Sequence, residues 1–273
     1  MKSFNNKVAA ITGAGSGMGE ALAKSLASRG CHLALADINE SAVEETANIC
    51  QNYGVDVTTY IVDTSDKDAV YAFADDAVRD HRQVNLVFNN AGVSLTDNVE
   101  HMNYEDFNWL MDINFWGVVY GSKAFLPHMQ KVEEAHIVNT SSIFGTIAVP
   151  SQSAYNASKF AVRGFTYALR MELENSHINV SCVQPGGVKT NIVRDSRYVT
   201  QDNTAPTKEE FAATFETMAN LTSEQAAEKI LRGVMKNKAQ ILVGRDALFI
   251  AILERLAPVL YQKIISRTFQ DGQ

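Results

Sequence analysis

Tyr155 and Lys159 lie four residues apart in the run Ser153-Ala-Tyr-Asn-Ala-Ser-Lys159. On a helix, residues at that spacing share a face, so the lysine ammonium can stand beside the phenol. A free phenol titrates near about 10 and is a poor acid or base at neutrality. A positive neighbour favours the phenolate and brings the group into a range useful for proton transfer. Taken alone the pair is ambiguous, because Tyr-x-x-x-Lys is also an ordinary pairing on solvated helix faces. Its company along the chain decides.

Lys7-Val-Ala-Ala-Ile-Thr12 is a short apolar run leading into Thr12-Gly-Ala-Gly-Ser-Gly-Met-Gly19, and Glu20–Arg29 then repeats apolar residues at helical spacing. Strand, glycine turn and helix form the opening unit of a dinucleotide-binding fold. Gly13, Gly17 and Gly19, with Ser16 and Met18 between them, let the backbone bend and a pyrophosphate approach. The helix start adds N–H donors and a favourable dipole. The spacing is T-G-x-x-x-G-x-G and not G-x-G-x-x-G. The next apolar run, Cys31–Ala36, ends on Asp37. A carboxylate about 20 residues beyond the glycines is placed to bond the adenosine ribose hydroxyls, and it would repel a ribose phosphate. Neither Ser16 in the turn nor Ile38 after the Asp offers a cation, so NAD is expected over NADP. The competing role for Asp37 is a turn residue before a helix starting near Asn39.

Thr12–Gly19, Asn89-Asn-Ala-Gly92, Ser142, Tyr155-x-x-x-Lys159 and Pro185-Gly186 occur in an order and spacing that resemble the short-chain dehydrogenase/reductase family. From about Lys7 to Val243 the chain looks like its compact branch, which oxidises alcohols or reduces carbonyls. The resemblance implies a catalytic set of Asn114, Ser142, Tyr155 and Lys159. Tyr155 would carry the proton, while Lys159 would lower its pKa and bond the nicotinamide ribose. Ser142, selected over Ser141 by the family spacing, would bond the substrate oxygen. Asn114 would kink its helix and hold a water beside Lys159; an Asn bonding its neighbours in the core is the alternative. Asn90, Ala91 and Gly92 would stabilise the sheet and bed the adenosine side of the cofactor. Pro185, Gly186, Val188 and Thr190 would meet the nicotinamide and the nearby phosphate. Asp63, followed by Thr64, would accept from the adenine amino group, although Asp63-Thr64-Ser65-Asp66 is an equally good helix start.

Strand-like runs recur at Val55–Val62, Val84–Phe88, Ala135–Thr140, Ile178–Val183 and Gln240–Val243, with helical runs near Asn39–Asn52, Lys67–Asp80, Tyr104–Gln130, Ala154–Asn175 and Ser223–Lys236. Alternation of this kind implies right-handed crossovers and a doubly wound α/β fold. Seven parallel strands in the order 3-2-1-4-5-6-7 are expected, in one domain over residues 1–245, with an apolar helical extension over 246–273. A chain of 273 residues can build one large core. Its net charge of −7 argues against nucleic acid or an anionic membrane as the main partner. Met1–Lys7 is short and polar, unlike a signal segment. The three cysteines are scattered, and the six histidines show no metal-ligand spacing. A cytoplasmic protein without a metal is the expectation.

The segments expected around the substrate, Val93-Ser-Leu95 and Ile143–Pro150, carry neither Arg nor Lys. A neutral, fairly hydrophobic alcohol or ketone is therefore expected over a hydroxy acid. Residues 189–220 form a candidate lid, with Phe211, Phe215 and Met218 at near-helical spacing facing Phe144 and Val149. By resemblance, Tyr104–Gln130 and Ala154–Asn175 pair with their copies in a homodimer or homotetramer through Phe107, Leu110, Phe115, Phe160, Phe165 and Leu169. The apolar tail Ala247–Tyr261 is too short to span a membrane. It is expected to pack on its own domain or on another subunit, with a membrane-surface contact as the minor alternative. A fold that kept its cofactor and lost its chemistry is the non-enzymatic reading, and the intact Tyr155 argues against it.

Overall fold

A computed structural model of the chain describes residues 1–199 and 207–263. The middle of the expected lid, the Met218 side chain and the end of the extension lie outside the described residues. Seven strands form one parallel sheet: β1 (Val8–Thr12), β2 (His32–Asp37), β3 (Val57–Ile61), β4 (Leu86–Asn89), β5 (Ala135–Thr140), β6 (Ile178–Pro185) and β7 (Gln240–Val243). Their order is β3-β2-β1-β4-β5-β6-β7, as expected. The inner strands are buried along nearly their whole length because helices cover both faces of the sheet. On one face, α1 (Gly17–Ala27), α2 (Glu40–Gln51) and α8 (Ser223–Met235) pack Leu22, Leu26, Val43 and Ile230 against Ile11 and Leu35. On the other, α3 (Lys67–His81), α5 (Gly117–Met129) and α6 (Ser153–Glu172) pack Phe73, Phe125 and Leu169 against Val87 and Ile137.

Helix starts follow their caps. Asn39 Oδ1 accepts the Ala42 N–H of α2 at 3.1 Å. Thr207 opens α7 (Lys208–Met218), and Thr222 opens α8, through reciprocal bonds with Glu210 and Gln225. For α3 the cap is Asp66, whose Oδ1 accepts the Asp68 and Ala69 N–H groups. The cap reading of Asp63 is thereby corrected: its Oδ1 takes Ser65 N–H at 2.9 Å and Ser65 Oγ at 2.7 Å in a tight turn ahead of the helix.

The expected helix Tyr104–Gln130 is three pieces. It runs as α4 (Tyr104–Met111), then a π-turn over Asp112–Trp116, then α5. The wider turn inserts one extra residue per turn and rotates Asn114 into the interior, where it is 0% exposed. At Asn114 the chain takes a π-turn, and the side chain bonds its core neighbours Val93 and Ser158. An unexpected two-residue parallel pairing joins Leu95–Thr96 to Arg197–Tyr198, with Arg197 N–H donating to Ser94 O and Val199 N–H to Thr96 O, both at 3.0 Å. It ties the start of the candidate lid to the segment after Gly92. The chain ends its described course in α9 (Arg245–Leu256) and the short segment to Lys263.

Candidate active site

Parallel register brings the carboxyl ends of the strands to one edge, and the candidate residues collect there. At the end of β1, Thr12 Oγ1 accepts N–H bonds from Asn90 (3.0 Å) and Ala91 (3.1 Å), while Asn90 Nδ2 donates to Thr12 O and Gly13 O. The turn after β4 is thereby sewn to the glycine turn. Gly13 has φ +65°, and a methyl group on it would stand 2.8 Å from Ala91 Cα. Glycine is required there on both counts. Ser16 starts α1 without a side-chain cap, leaving the first N–H groups of that helix to an outside anion. Met18 leans back into the core, and Gly17 faces Thr190, whose Cγ2 lies 3.2 Å from where a Gly17 methyl would be. The loops after β1 and β6 therefore close on each other.

Asp37 ends β2 with its carboxylate turned to the glycine turn. Gly15 N–H donates to Oδ2 at 2.8 Å, and Asn39 N–H donates to Oδ1 at 3.0 Å. Asp37 thus serves the turn before α2, and of the roughly four acceptor sites a carboxylate offers, two are used. Ile38 beside it is exposed, Asp63 is exposed at the end of β3, and Thr64 is buried against Gly117 at the start of α5. The bare backbone, the uncapped helix start and the remaining acceptor capacity of Asp37 suit a dinucleotide with a free ribose.

Across the cleft, α6 presents Tyr155 and Lys159. The Lys159 ammonium stands 5.5 Å from the centre of the Tyr155 ring and donates to Thr140 O at 3.2 Å. Its side chain is buried at 2% exposure, and that burial depresses its pKa to about 8. Burial pushes the Tyr155 phenol up to about 12, opposed by a hydrogen bond with Ser142. Burial and the Ser142 bond, and not the expected lowering by Lys159, set the phenol here. Ser141 and Ser142 divide their roles. Ser141 Oγ donates to Lys159 O at 2.7 Å, leaving Ser142 to face Tyr155 while it caps the short turn Ile143–Gly145 through Phe144 N–H. Phe144 sets its ring edge-on to Tyr155 at 6.1 Å.

Asn114 is held by a reciprocal pair with Val93: Nδ2 donates to Val93 O at 2.9 Å and Oδ1 accepts Val93 N–H at 2.8 Å. Nδ2 also reaches Ser158 Oγ at 3.2 Å. A methyl on Gly92 would stand 3.1 Å from Asn114 Oδ1 and 3.3 Å from Lys159 Nζ. One small site therefore lies at hydrogen-bond range from both. Pro185 ends β6, and Gly186 and Val188 continue into the loop that carries Thr190.

Known proteins resemble this chain along most of its length. The short chain dehydrogenase family profile matches residues 7–201. The chain belongs to the short-chain dehydrogenase family. SadH of Mycobacterium tuberculosis, assigned as an oxidoreductase, is 42% identical over 269 residues, covering 97% of this chain and 96% of that one. Mouse (Mus musculus) estradiol 17-beta-dehydrogenase 11 is 30% identical over 267 residues, covering 97% of this chain and 84% of that protein. Among solved structures, a short-chain dehydrogenase/reductase from Burkholderia phymatum in complex with NAD is 33% identical, with a TM-score of 0.85 over 96% of this chain and 97% of that one.

Beyond the short-chain dehydrogenase motifs, four residues shape the site without having been expected to. Thr12 and Gly15 act as described above. Asp246, at the start of α9, accepts Gly187 N–H at 2.6 Å and fills the space a Gly186 methyl would need, so it fixes the loop after β6. Asn156 pins the segment after Ser142, accepting Val149 N–H (3.1 Å) and donating to Phe144 O and Ile147 O (both 2.8 Å). Gly15 was within reach, as a fourth glycine in the turn; Asp246 and Asn156 carry no local signal. The expected lid face meets other partners. Phe211 packs on Tyr198 at 5.8 Å, whereas Phe144 and Val149 cluster with Ile250, Leu253 and Tyr261 of the C-terminal extension.

Proposed function

We propose that the chain transfers a hydride between NAD(H) and a neutral, largely apolar secondary alcohol or its ketone. The observation that carries the reading is the convergence of Ser142, Tyr155, Lys159 and Asn114 beside a glycine turn whose neighbour is Asp37. When bound, the nicotinamide supplies or accepts the hydride. Ser142 and Tyr155 bond the substrate oxygen and set its distance. Tyr155 takes the hydroxyl proton in oxidation and returns it in reduction. The Lys159 ammonium favours the phenolate as that proton moves, and Asn114 with Gly92 keeps a proton path beside Lys159. This is general acid–base catalysis with positioning.

NAD is favoured over NADP because a ribose phosphate would meet the Asp37 carboxylate, with exposed Ile38 and Ser16 offering no cation. The NAD complex of the Burkholderia relative agrees. An apolar substrate is favoured by Leu95 and Val93 packed beside Tyr155 and by Phe144 and Val149 beyond it. The similarity to an estradiol dehydrogenase points the same way. A homodimer or homotetramer through the helices around Trp116 and Phe160, both partly exposed, completes the reading.

The test is turnover of a panel of alcohols and ketones followed by NADH absorbance, with the parent protein and two variants. Bulky neutral secondary alcohols should exceed hydroxy acids in kcat/KM. Tyr155→Phe should lower kcat by about 10²-fold or more while leaving NAD affinity nearly unchanged. Asp37→Ala should narrow the preference for NAD. Equal use of both cofactors by the parent, or an active Tyr155→Phe protein, refutes the corresponding part.

A further inference from the structure

The C-terminal extension has two apolar faces, and only one is covered. At about 100° per residue along α9, Ile250 and Leu253 turn inward, where they join Tyr261 against Phe144, Ile147 and Val149. Leu248, Phe249, Ile252 and Leu256 fall on the opposite stripe and are exposed, Phe249 to 66% and Leu256 to 78%. Val259 and Leu260 continue the exposed surface past Pro258. An open patch of large apolar side chains marks a contact surface on a soluble domain.

The charges say what it fits. The exposed charged side chains of α9 are Arg245 and Arg255, both cationic, on a chain whose net charge is −7. Its two acids are drawn away from that surface: Asp246 holds Gly187 N–H, and Glu254 is half-buried. Exposed Leu, Ile and Phe flanked by cations only is the pattern of a helix lying in a membrane interface. A span is excluded for α9, since its 12 residues reach only about 18 Å, and no described helix is long and apolar enough to cross a membrane. The inward face of the same helix packs on the segment carrying Phe144, next to Tyr155. A docked bilayer would therefore border the cleft.

We propose that the outer face of the C-terminal extension docks the protein onto an anionic phospholipid surface. The test floats the full-length protein through a density gradient with vesicles of phosphatidylcholine alone or mixed with phosphatidylglycerol. The parent should rise with the anionic vesicles and lose much of that association in high salt or with the neutral ones. Phe249→Glu combined with Leu256→Glu should leave the protein at the bottom with an unchanged thermal midpoint. Arg245→Ala with Arg255→Ala should erase the preference for anionic lipid. A parent that floats with neither vesicle, or a double-Glu variant that floats as well as the parent, overturns the proposal. So does a fall in oligomer mass by light scattering on making the double-Glu variant, which would show a second copy covering the face. Flotation needs no turnover, so its failure leaves the dehydrogenase reading untouched.

Discussion

At the scale of single residues, the smallest side chain in the site makes the sharpest demand. Gly92 does not sit in the left-handed region, so alanine is permitted by its backbone, and only space opposes it. A methyl there would press between Asn114 Oδ1 and Lys159 Nζ. Gly92→Ala should therefore cut kcat by about tenfold or more, as displaced catalytic groups do. Unchanged kcat in steady-state assays would show that the space between those two atoms is idle. Lys159 supplies a second expectation. Burial holds its pKa at about 8, and kcat/KM reports groups of the free enzyme. For ketone reduction, kcat/KM should fall as pH rises through about 8 and the ammonium is lost. In Lys159→Arg, which stays charged, that limb should be absent from whatever activity remains. These residues were legible because their chemistry fixes type and spacing together. Asp246 and Asn156 were not, since each acts on backbone groups distant in sequence and nothing nearby marks it.

Among the elements, the strands could be read directly, because a parallel strand buried on both faces is a continuous apolar run. The π-turn could not. Apolar spacing through Tyr104–Gln130 fits a single helix, and only the tertiary bonds of Asn114 to Val93 select the wider turn. The Leu95–Thr96 pairing with Arg197–Tyr198 is two residues long, below what any periodicity reveals. The segment Phe144–Val149 illustrates how much such irregular structure depends on one side chain. Its backbone forms no strand, and three of its polar groups are satisfied by buried Asn156. At about 1 kcal/mol for each net hydrogen bond, Asn156→Ala should cost about 3 kcal/mol. A urea titration checks that loss. Because the same segment carries Phe144 against Tyr155, KM for a bulky alcohol should rise as well; a stable variant with parental KM would mean that the segment holds its shape without Asn156.

For the whole molecule, order and handedness of the sheet follow from alternating strands and helices, whereas the uncovered face of α9 does not, because periodicity shows which residues share a face and not what lies opposite. The same limit applies to the middle of the sheet, where β5 carries a polar residue that the chemistry of the site never uses. His136 is fully buried, and its Nε2 lies 2.8 Å from Ser181 Oγ. Ser181 donates its own proton to Lys238 O at 2.6 Å, so it accepts from a neutral imidazole protonated at Nε2. Burial, with smaller contributions from the chain's amino terminus and Arg170, lowers the His136 pKa from 6.5 to about 3. Between those values the unfolded chain binds a proton that the folded chain refuses, so stability is complete above about 6.5 and is lost as pH falls toward about 3. From pH 7 to pH 5 the loss from this one group is about 2 kcal/mol. His81, also lowered by burial and by His32, acts in the same direction. His136→Gln keeps an N–H for Ser181 and cannot titrate. The urea midpoint of the parent should therefore drop more between pH 7 and pH 5 than that of His136→Gln. Parallel drops in the two proteins would assign acid sensitivity to groups other than His136.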